Sequence, residues 1–543
     1  MSGRSDFGRR TASVARAGGM FVRSGLWRPG PPLRVARQLG ALRRWGTLLG
    51  GTVASAAARD PDRVALADDA GELTYAELDA RTDRLAAALG RSGAAPRVAV
   101  LCRNHRGMVE TLVACSKRGA DLVMLNTGMS VEQLVSVVRE QRAEIVIADP
   151  EFGAFLAAVP KTVRAVTAGE PGAELETMIA TAPAAGVEPP EAPGRTIVLS
   201  SGTTGRPKGA DRRSRPGLSP LTSILSRIPY AVHERMFIEA PLFHTWGYAM
   251  LQTAVSLRAT IVLRRRFDPE ATLRTIEAAG ATALVAVPVM LQRIMDLPEP
   301  VRSGYDTSGM RIAAVSGSAL PPTLATAFMD AFGDVLYNLY GSTEASWVTI
   351  ATPADLRAHP DTAGTPPPGT EVAILDERGE RVPPGTTGRI FAANELLFAG
   401  YTGGGTKEMR DGLMSLGDLG HLDGDGRLFV HGRDDDMIVS GGENVFPSAI
   451  EEVIALLPQV REVAVVGVPD EEFGQRAAAF VVPRDGAALD ADAVRAHVRE
   501  SLARFAVPRD VRFLAELPRN ATGKILRREL AAAPADGRDE AAG

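Results

Sequence analysis

The sequence is poor in cysteine, in aromatic residues and in long apolar runs. Of its 543 residues two are cysteine, Cys102 and Cys115, and aromatic residues make up 5%. No Cys-x-x-Cys pair or Cys/His cluster surrounds either cysteine, which argues against a disulfide framework or a zinc site and favours a reducing, cytoplasmic location. No apolar run approaches the roughly 20 residues of a membrane-spanning helix, and none has the form of a secretory signal.

Length and composition are those of a protein with several domains. One compact core rarely exceeds about 200 residues, so two to four domains are expected. Hydrophobic residues make up 45% and charged residues 23%, as in ordinary globular proteins. The net charge of -4 gives no reason to expect a nucleic acid as partner.

The first 50 residues differ in charge from the rest of the chain. They hold ten arginines and one acid, Asp6, so they carry +9 while the remainder carries -13. Leucine and tryptophan are interleaved with the arginines, a pattern that can lie on an anionic membrane surface. A solvated, unstructured leader and an Arg-rich mitochondrial presequence fit the same composition. The sequence predicts a basic amphipathic leader over 1–50, with peripheral membrane contact as one of three open roles.

Apolar runs alternate with amphipathic stretches from about residue 51 to 370. Buried strands are predicted at 97–102, 144–148, 196–199, 283–287, 311–315 and 335–339. Helices are predicted at 78–89, 131–142, 269–279 and 323–331. Such alternation indicates parallel sheets covered by helices.

Two other patterns follow along the chain. Short strands flank turns such as 423–426, as in antiparallel hairpins. After Arg433, mixed helices and strands form a unit of about 110 residues, a usual domain size. The predicted fold is therefore multi-domain α/β. A large N-terminal domain over 51–433 has parallel sheets wrapped by helices and a small antiparallel, barrel-like part, and a small mobile α+β domain covers 434–543.

A loop rich in glycine and hydroxyl residues follows the predicted strand 196–199. Glycines let backbone N–H groups approach phosphate oxygens, hydroxyls add donors, and lysine adds a positive charge. Lysine is rare here, at five of 61 basic residues, so a lysine in this loop is informative. Pro207 stands where the nucleotide-kinase loop has its second glycine, so this is a different loop. The expected phosphate-binding residues are Ser200, Ser201, Gly202, Thr203, Thr204, Gly205 and Lys208.

This loop resembles the phosphate loop of the adenylate-forming superfamily, which includes acyl-CoA synthetases, nonribosomal peptide adenylation domains and beetle luciferases. Five further segments resemble the family's signatures in the expected order, over about residues 50–530. They are Tyr340-Gly341-Ser342-Thr343-Glu344, Leu416-Gly417-Asp418, 432–438, 440–447 and 518–524.

The resemblance implies an ATP site in the large domain. Glu344, beside Thr343, would hold Mg²⁺, a hard ion that prefers carboxylate oxygen. Tyr340 would stack on adenine, and Asp418 would accept hydrogen bonds from the ribose hydroxyls. Arg433 would reach the ribose or a phosphate. The implied ATP-binding set also includes Gly317, Gly341 and Ser342.

The resemblance also implies a second group of functional residues. Lys524 would bridge the substrate carboxylate and the α-phosphate, two anions that otherwise repel each other. His244 would shape the acyl pocket, and Asp435 would be the hinge between two half-reactions. Coenzyme A would pass Ser440, Gly441 and Gly442.

The predicted function is that of an ATP-dependent acyl-CoA synthetase that adenylates a medium- or long-chain fatty acid. No acid or base near 243–248 would pair with the ammonium of an amino acid, and the leader suits a lipid-like substrate. The leader and the segment 125–128 resemble those of actinobacterial fatty acyl-CoA ligases. The sequence leaves open an acyl-AMP ligase that loads a carrier protein, an aryl-acid CoA ligase and a catalytically silent nucleotide- or lipid-binding protein. It is silent on oligomeric state.

Two departures from the family pattern stand out. The family often continues its phosphate loop with a valine and a His-containing helix, whereas 210–216 here reads Ala-Asp-Arg-Arg-Ser-Arg-Pro. Leu416 replaces the threonine of the ribose-binding segment and removes one hydroxyl near the nucleotide.

Overall fold

The computed structural model describes residues 18–90, 95–170, 172–183, 187–200, 208–212, 217–440, 443–470 and 473–532. Within them the chain forms two mainly parallel sheets with helices, one antiparallel sheet and a C-terminal α+β unit. The predicted multi-domain α/β fold is confirmed.

The first parallel sheet has eight strands. Its inner neighbours are parallel, and one antiparallel strand closes each edge. From edge to edge the strands are Ser346–Ala351, Leu336–Ser342, Ile312–Val315, Ala283–Ala286, Arg235–Ile238, Thr260–Val262, Val64–Asp68 and Gly71–Thr74. Three inner strands, Thr260–Val262, Ala283–Ala286 and Ile312–Val315, are buried at every position because helices cover both faces of the sheet, which explains their apolar runs.

The second parallel sheet has seven strands. Their order is Gly400–Tyr401, Lys208–Arg212, Thr196–Ser200, Asp121–Met124, Arg97–Leu101, Ile145–Ala148 and Arg164–Thr167. The first two are antiparallel additions, so the chain returns after the phosphate loop to pair with the strand that precedes it. All six predicted strands occur in these two sheets, with ends within one residue except that 335–339 extends to Ser342.

Helices cover the two sheets. In the described part of the large domain they are Pro32–Trp45, Leu49–Arg59, Tyr75–Leu89, Arg106–Arg118, Val131–Glu140, Gly153–Ala158, Glu174–Thr181, Ser219–Leu225, Thr245–Ser256, Pro269–Ala279, Pro288–Met295, Glu299–Arg302, Pro322–Phe332 and Pro353–Ala358, with a further helix over 18–23. The bounds predicted for Pro269–Ala279 are confirmed, because Asp268 caps its first turn and Gly280 ends it with φ +57°.

The antiparallel sheet lies between the large parallel sheets and the C-terminal unit in the chain. Its strands follow the order Thr362–Gly364, Leu428–Arg433, Leu413–Leu422, Gly388–Ala393 and Glu371–Leu375, with Met409–Arg410 paired to the third. A single 3₁₀ turn, Asp434–Asp436, then joins this sheet to the next one.

The C-terminal unit has a sheet of five strands and three helices within the described residues. The strands are Glu443–Val445, Ile438–Ser440, Gly474–Pro483, Val460–Asp470 and Asp510–Phe513. The helices are Pro447–Ala455, Ala491–Ser501 and Arg527–Ala532, with a 3₁₀ turn at Arg504–Ala506.

The segment before residue 50 is continuous in structure with the start of the predicted large domain. Helix Leu49–Arg59 spans both, because Leu49 and Val53 both face the main core. Upstream, Met20 and Phe21 are buried in the same core, so the described residues from 18 onward pack on the large domain. Crossing a bilayer needs a helix of roughly 20 apolar residues, and none of the described helices meets that requirement.

Candidate active site

The segment that carries the predicted magnesium ligand is a tight hairpin between two strands of the eight-stranded sheet. Tyr340, Gly341 and Ser342 end the first strand, and Ser346 starts the second with φ +60°. A Cβ at Gly341 would overlap the carbonyl oxygen of Ser346, so the turn requires glycine there. Ser342 Oγ accepts a hydrogen bond of 3.1 Å from the Ala345 N–H and closes the turn.

Glu344 lies inside this turn with 6% of its surface exposed. The Tyr401 hydroxyl donates to its Oε1 at 2.8 Å, and the Phe398 N–H donates to its carbonyl oxygen at 2.7 Å. Within the described residues Tyr401 is the one hydrogen-bond donor to this carboxylate. The second oxygen of a buried carboxylate is the hard donor that Mg²⁺ prefers, so Glu344 fits the role of metal ligand.

Arg212 is a site residue that the sequence showed only as a departure from the family pattern. Its guanidinium donates to the Thr343 carbonyl at 2.5 Å, to the Leu396 carbonyl at 3.1 Å and to the Ser346 hydroxyl. Burial lowers the pKa of Arg212 to about 10, although the nearby Glu344 carboxylate favours its charged form. The side chain thus ties the strand after the phosphate loop to the turn that carries Glu344.

The residues predicted to bind adenine and ribose, Tyr340 and Asp418, contact each other directly. The Tyr340 hydroxyl donates to Asp418 Oδ2 at 2.5 Å, and Arg433 Nε lies 3.7 Å from Asp418 Oδ1. Burial raises the pKa of Asp418, while the Tyr340 hydrogen bond and the Arg433 charge act in the opposite direction. Burial and the Asp418 charge raise the pKa of Tyr340 well above 10, so Tyr340 stays a donor. The structure therefore brings these three residues together.

Leu416 does not face this contact. Its side chain is 2% exposed and packs in an apolar cluster of the antiparallel sheet with Ala345 and Met414. Leu416, which stands where the family pattern has threonine, thus contributes apolar packing behind the site.

Lys208 begins the strand after the phosphate loop, and its side chain is exposed. Its Nζ lies 5.4 Å from the centre of the Tyr401 ring, a cation–π distance. Since Tyr401 also holds Glu344, one aromatic side chain links the predicted phosphate-binding lysine to the predicted metal ligand. Tyr401 is the second residue that sequence reasoning missed, because no motif marks it and a strand pairing brings it to the site.

The loop that carries Lys524 lies against the large domain. Asn520 Oδ1 accepts hydrogen bonds from the N–H groups of Thr522 at 3.0 Å and Lys524 at 2.9 Å, and Gly523 adopts φ +80°. A Cβ added to Gly128 would lie 2.9 Å from the Ala521 methyl group, and one added to Gly523 would overlap Val289. The lysine loop is therefore docked on the large domain through close, glycine-permitted contacts.

Lys524 shares its surroundings with the ribose-binding residues. Its side chain is solvent-accessible, yet the surrounding protein removes part of its water and thereby lowers its pKa. The Arg433 charge acts in the same direction, whereas Asp418, Asp435 and Asp436 stabilise the charged form. The predicted catalytic lysine, Lys524, and the predicted ribose-binding carboxylate, Asp418, thus face the same cleft.

His244 precedes helix Thr245–Ser256 and is partly buried. Burial lowers its pKa to about 4, and the positive charge of Lys524 adds to this effect. The imidazole is therefore neutral near pH 7 and lies within electrostatic reach of the lysine. Gly317 follows strand Ile312–Val315 with φ +102° and lies beside Val287, at the same edge of the eight-stranded sheet.

Arginines from both domains hold the predicted hinge. Arg433 Nε lies 3.1 Å from Asp435 Oδ1, and Arg389 Nε lies 3.4 Å from Asp434 Oδ2. Arg527 of the C-terminal unit lies 3.9 Å from Asp436. Because the change from one sheet to the next falls across this turn, Asp435 stands at the junction of the two domains.

Part of the predicted site lies outside the described residues. These residues are Ser201, Gly202, Thr203, Thr204, Gly205, Gly441 and Gly442. Their flanks are described: Ser200 pairs with Lys208 across two strands, and Ser440 is buried where it pairs with Gly474.

One sequence inference needs correction, because Cys102 does have a histidine neighbour. Cys102, His105 and Asp149 are buried, with possible ligand atoms within 4.8 Å of one another. His105 Nε2 bonds Asp149 Oδ1 at 2.7 Å, and its Nδ1 accepts the Gly107 N–H at 3.1 Å, so both ring nitrogens are engaged. Burial raises the pKa of the Cys102 thiol well above 9, which keeps it protonated. The cluster is a satisfied structural contact.

Comparison with known proteins agrees with this arrangement. Residues 53–402 match the AMP-binding enzyme family, and residues 449–524 match the AMP-binding enzyme C-terminal domain. A feruloyl-CoA synthase from Amycolatopsis sp. is 35% identical over 87% of this chain and 96% of its own length. An indoleacetate–CoA ligase from Aromatoleum aromaticum is 33% identical over 86% of this chain and 94% of its own.

The fold is also that of a solved relative. The structure of ATP-bound MatB from Rhodopseudomonas palustris covers 89% of this chain and 98% of its own, with a TM-score of 0.80 and 28% identity. From the ordered motifs, their convergence on one cleft and these matches, it follows that the chain belongs to the AMP-binding enzyme family of adenylate-forming proteins.

Proposed function

We propose that the protein is an AMP-forming acid–thiol ligase that activates a ring-bearing carboxylic acid with ATP and transfers the acyl group to coenzyme A. The observation that carries this proposal is the position of Lys524. This lysine comes from the C-terminal unit, yet its charge acts on Asp418 and Arg433 of the large domain and on His244. A cation at the meeting point of the ribose and acyl residues is what adenylation requires.

In the first step, a carboxylate oxygen of the substrate attacks the α-phosphorus of ATP and pyrophosphate leaves. Tyr340 and Asp418 hold the adenosine, while Lys208 and the loop before it hold the phosphates. Lys524 offsets the repulsion between the two anions and stabilises charge that develops between them. Mg²⁺ bound by Glu344 would neutralise phosphate charge.

In the second step, the coenzyme A thiolate attacks the acyl carbonyl carbon and AMP leaves. The Lys524 loop occupies the large-domain surface beside Gly128 and Val289, so the C-terminal unit has to turn to admit the thiol. The 3₁₀ turn at Asp434–Asp436 is the short connection at which backbone torsions would change. Ser440 and the two glycines after it would then line the path of the thiol.

The relatives favour the aryl-acid alternative over the fatty acid that the sequence alone suggested. The feruloyl-CoA synthase and the indoleacetate–CoA ligase described above act, by their names, on acids that carry an aromatic ring. The segment next to His244 contains Phe243 and Trp246, both buried, with Trp246 Nε1 bonded to the Ala286 carbonyl at 3.0 Å. Rigid, buried aromatic side chains this close to His244 would suit a flat ring in the acyl pocket.

The test is pyrophosphate release measured across three sets of acids: hydroxycinnamates, indole- and phenylacetates, and straight-chain fatty acids of increasing length. We expect the highest kcat/KM with a ring-bearing acid, and stoichiometric thioester formation when free coenzyme A is added. A preference for long straight chains would return the substrate class to fatty acids. Pyrophosphate release without coenzyme A thioester, but with acylation of a carrier protein, would identify a carrier-loading ligase.

The matched control is Lys524→Ala, which keeps the nucleotide residues of the large domain. It should bind ATP but release no pyrophosphate above background. ATP binding by the unmodified protein without any pyrophosphate release from any acid would indicate a silent binding protein and overturn the proposal.

A further inference from the structure

The N-terminal part of the large domain presents an unusual surface. Residues 18–59 contain seven arginines and no acidic residue. Four of these arginines are exposed and form no ion pair within the described residues: Arg23, Arg28, Arg37 and Arg43. Because their charges are not offset locally, this surface attracts an anionic partner.

The same segment exposes large apolar side chains. Ten such side chains are exposed among the described residues, and four of them lie between 22 and 39. These four, each exposed by 60% to 65%, are Val22, Trp27, Leu33 and Leu39. Exposed apolar side chains scattered singly are ordinary, whereas here four of the ten fall within 18 residues of the segment that also carries the arginines. We call these four side chains and the four arginines above the basic N-terminal patch.

The segment that carries this patch is fixed to the domain. Phe21 is buried, and its ring centre lies 5.7 Å from that of Trp27. The Val232 N–H donates to the Ser24 carbonyl at 2.7 Å. Helix Pro32–Trp45 is held by ion pairs from Arg34 to Asp62 at 3.3 Å and from Arg44 to Glu188 at 2.9 Å. The patch is therefore pre-organised, and binding would not require the segment to fold first.

We propose that the basic N-terminal patch docks the enzyme on the surface of an anionic phospholipid bilayer. Arginines pair with lipid phosphates, while leucine and tryptophan side chains enter the boundary between headgroups and acyl chains. A nucleic acid would satisfy the arginines but leave the leucines in water. A second copy of the chain would place two positively charged surfaces against each other. The bilayer alone satisfies both the charges and the apolar side chains.

The proposal is tested by co-sedimentation of the full chain with vesicles. One set is phosphatidylcholine alone, and the other is an equal mixture of phosphatidylcholine and phosphatidylglycerol. We expect binding to the mixed vesicles only, weakened by salt, since the Debye length falls from about 30 Å at 0.01 M to about 3 Å at 1 M. Arg37→Gln with Arg43→Gln should weaken binding roughly 10- to 30-fold, from about 1 kcal/mol per arginine at such a surface.

A second pair of variants separates insertion from charge attraction. Leu33→Gln with Leu39→Gln should reduce binding by at least about tenfold and leave the salt dependence in place. The control pair is Leu456→Gln with Arg499→Gln, two exposed residues of the C-terminal unit, which should bind like the unmodified protein. Pyrophosphate release in solution and the unfolding temperature should stay unchanged in all three pairs.

Several results would overturn the proposal. Equal binding to both vesicle types, or equal loss in patch and control variants, would show that the patch is not the lipid-binding surface. Absence of sedimentation with either vesicle would do the same. Self-association that the patch variants abolish would point to a second copy, and RNA binding without vesicle binding would point to a nucleic acid.

Discussion

The hydrogen bond from Tyr340 to Asp418 offers the sharpest test of the nucleotide site. Tyr340→Phe keeps the ring that would stack on adenine and removes only the hydroxyl. The Asp418 side chain is 13% exposed, so water cannot readily replace the donor at 2.5 Å. Arg433, at 3.7 Å, would remain as the nearest charged group.

The magnitude follows from the kind of bond that is lost. A hydrogen bond to a charged group contributes about 1.5–3 kcal/mol, which corresponds to about a 10- to 150-fold change. We expect this loss in kcat/KM for ATP, with little change in the KM for the acid. Because the hydroxyl lowers the pKa of Asp418, its removal raises that pKa further. The acid limb of the pH profile, where Asp418 becomes protonated, should therefore move to higher pH.

The assay is pyrophosphate release at varied ATP concentration and pH. The control is Tyr337→Phe, on the same strand but buried in the main core. An unchanged kcat/KM for ATP together with an unmoved acid limb in Tyr340→Phe would refute the reasoning. An equal loss in both variants would mean that the strand had been disturbed and that the hydroxyl itself was not the cause.

Three further predictions follow from the site. Lys524→Ala should nearly abolish pyrophosphate release yet keep thioester formation from supplied acyl-AMP; equal loss in both assays would contradict its role. Arg212→Met leaves the Thr343 and Leu396 carbonyls without their donor and should cost about 2–5 kcal/mol of unfolding free energy in urea titrations; an unchanged midpoint would argue against the clamp. His244 has its pKa lowered from 6.5 to about 4, so only the unfolded chain is protonated between those values and stability falls as pH drops below 6.5. His244→Asn should remove about 2 kcal/mol of the stability lost between pH 7 and pH 5, measured by denaturant unfolding at both.

The elements that the sequence predicts well carry their own local signals. Asp268 and Gly280 bracket helix Pro269–Ala279, and the continuous apolar run of Ala283–Ala286 marks a buried strand. Such signals depend on neighbouring residues only. The ordered motifs likewise identify Tyr340 and Asp418, which the structure joins although 78 residues separate them.

The residues that the sequence did not reveal act across long separations. Tyr401 reaches Glu344 over 57 residues, and Arg212 reaches Thr343 over 131, through pairings that only the assembled sheets create. The packing of the segment before residue 50 was not evident from the sequence for a different reason. The high density of arginine left several roles for this segment open, and it did not show that Phe21 and Leu49 would be buried in the core.

The docking of the lysine loop through Gly128 and Gly523 affects how readily the enzyme changes between adenylation and thioester formation. In each of these contacts one partner is a glycine, which faces the Ala521 methyl group in one case and the Val289 side chain in the other. The two surfaces therefore meet closely, and the glycines contribute no side chain that would interlock with the partner. A methyl group at position 523 would overlap the Val289 side chain and force the lysine loop away from the large domain. Gly523→Ala should therefore slow adenylation of the acid and leave thioester formation unaffected. Only adenylation needs the lysine loop docked on the large domain.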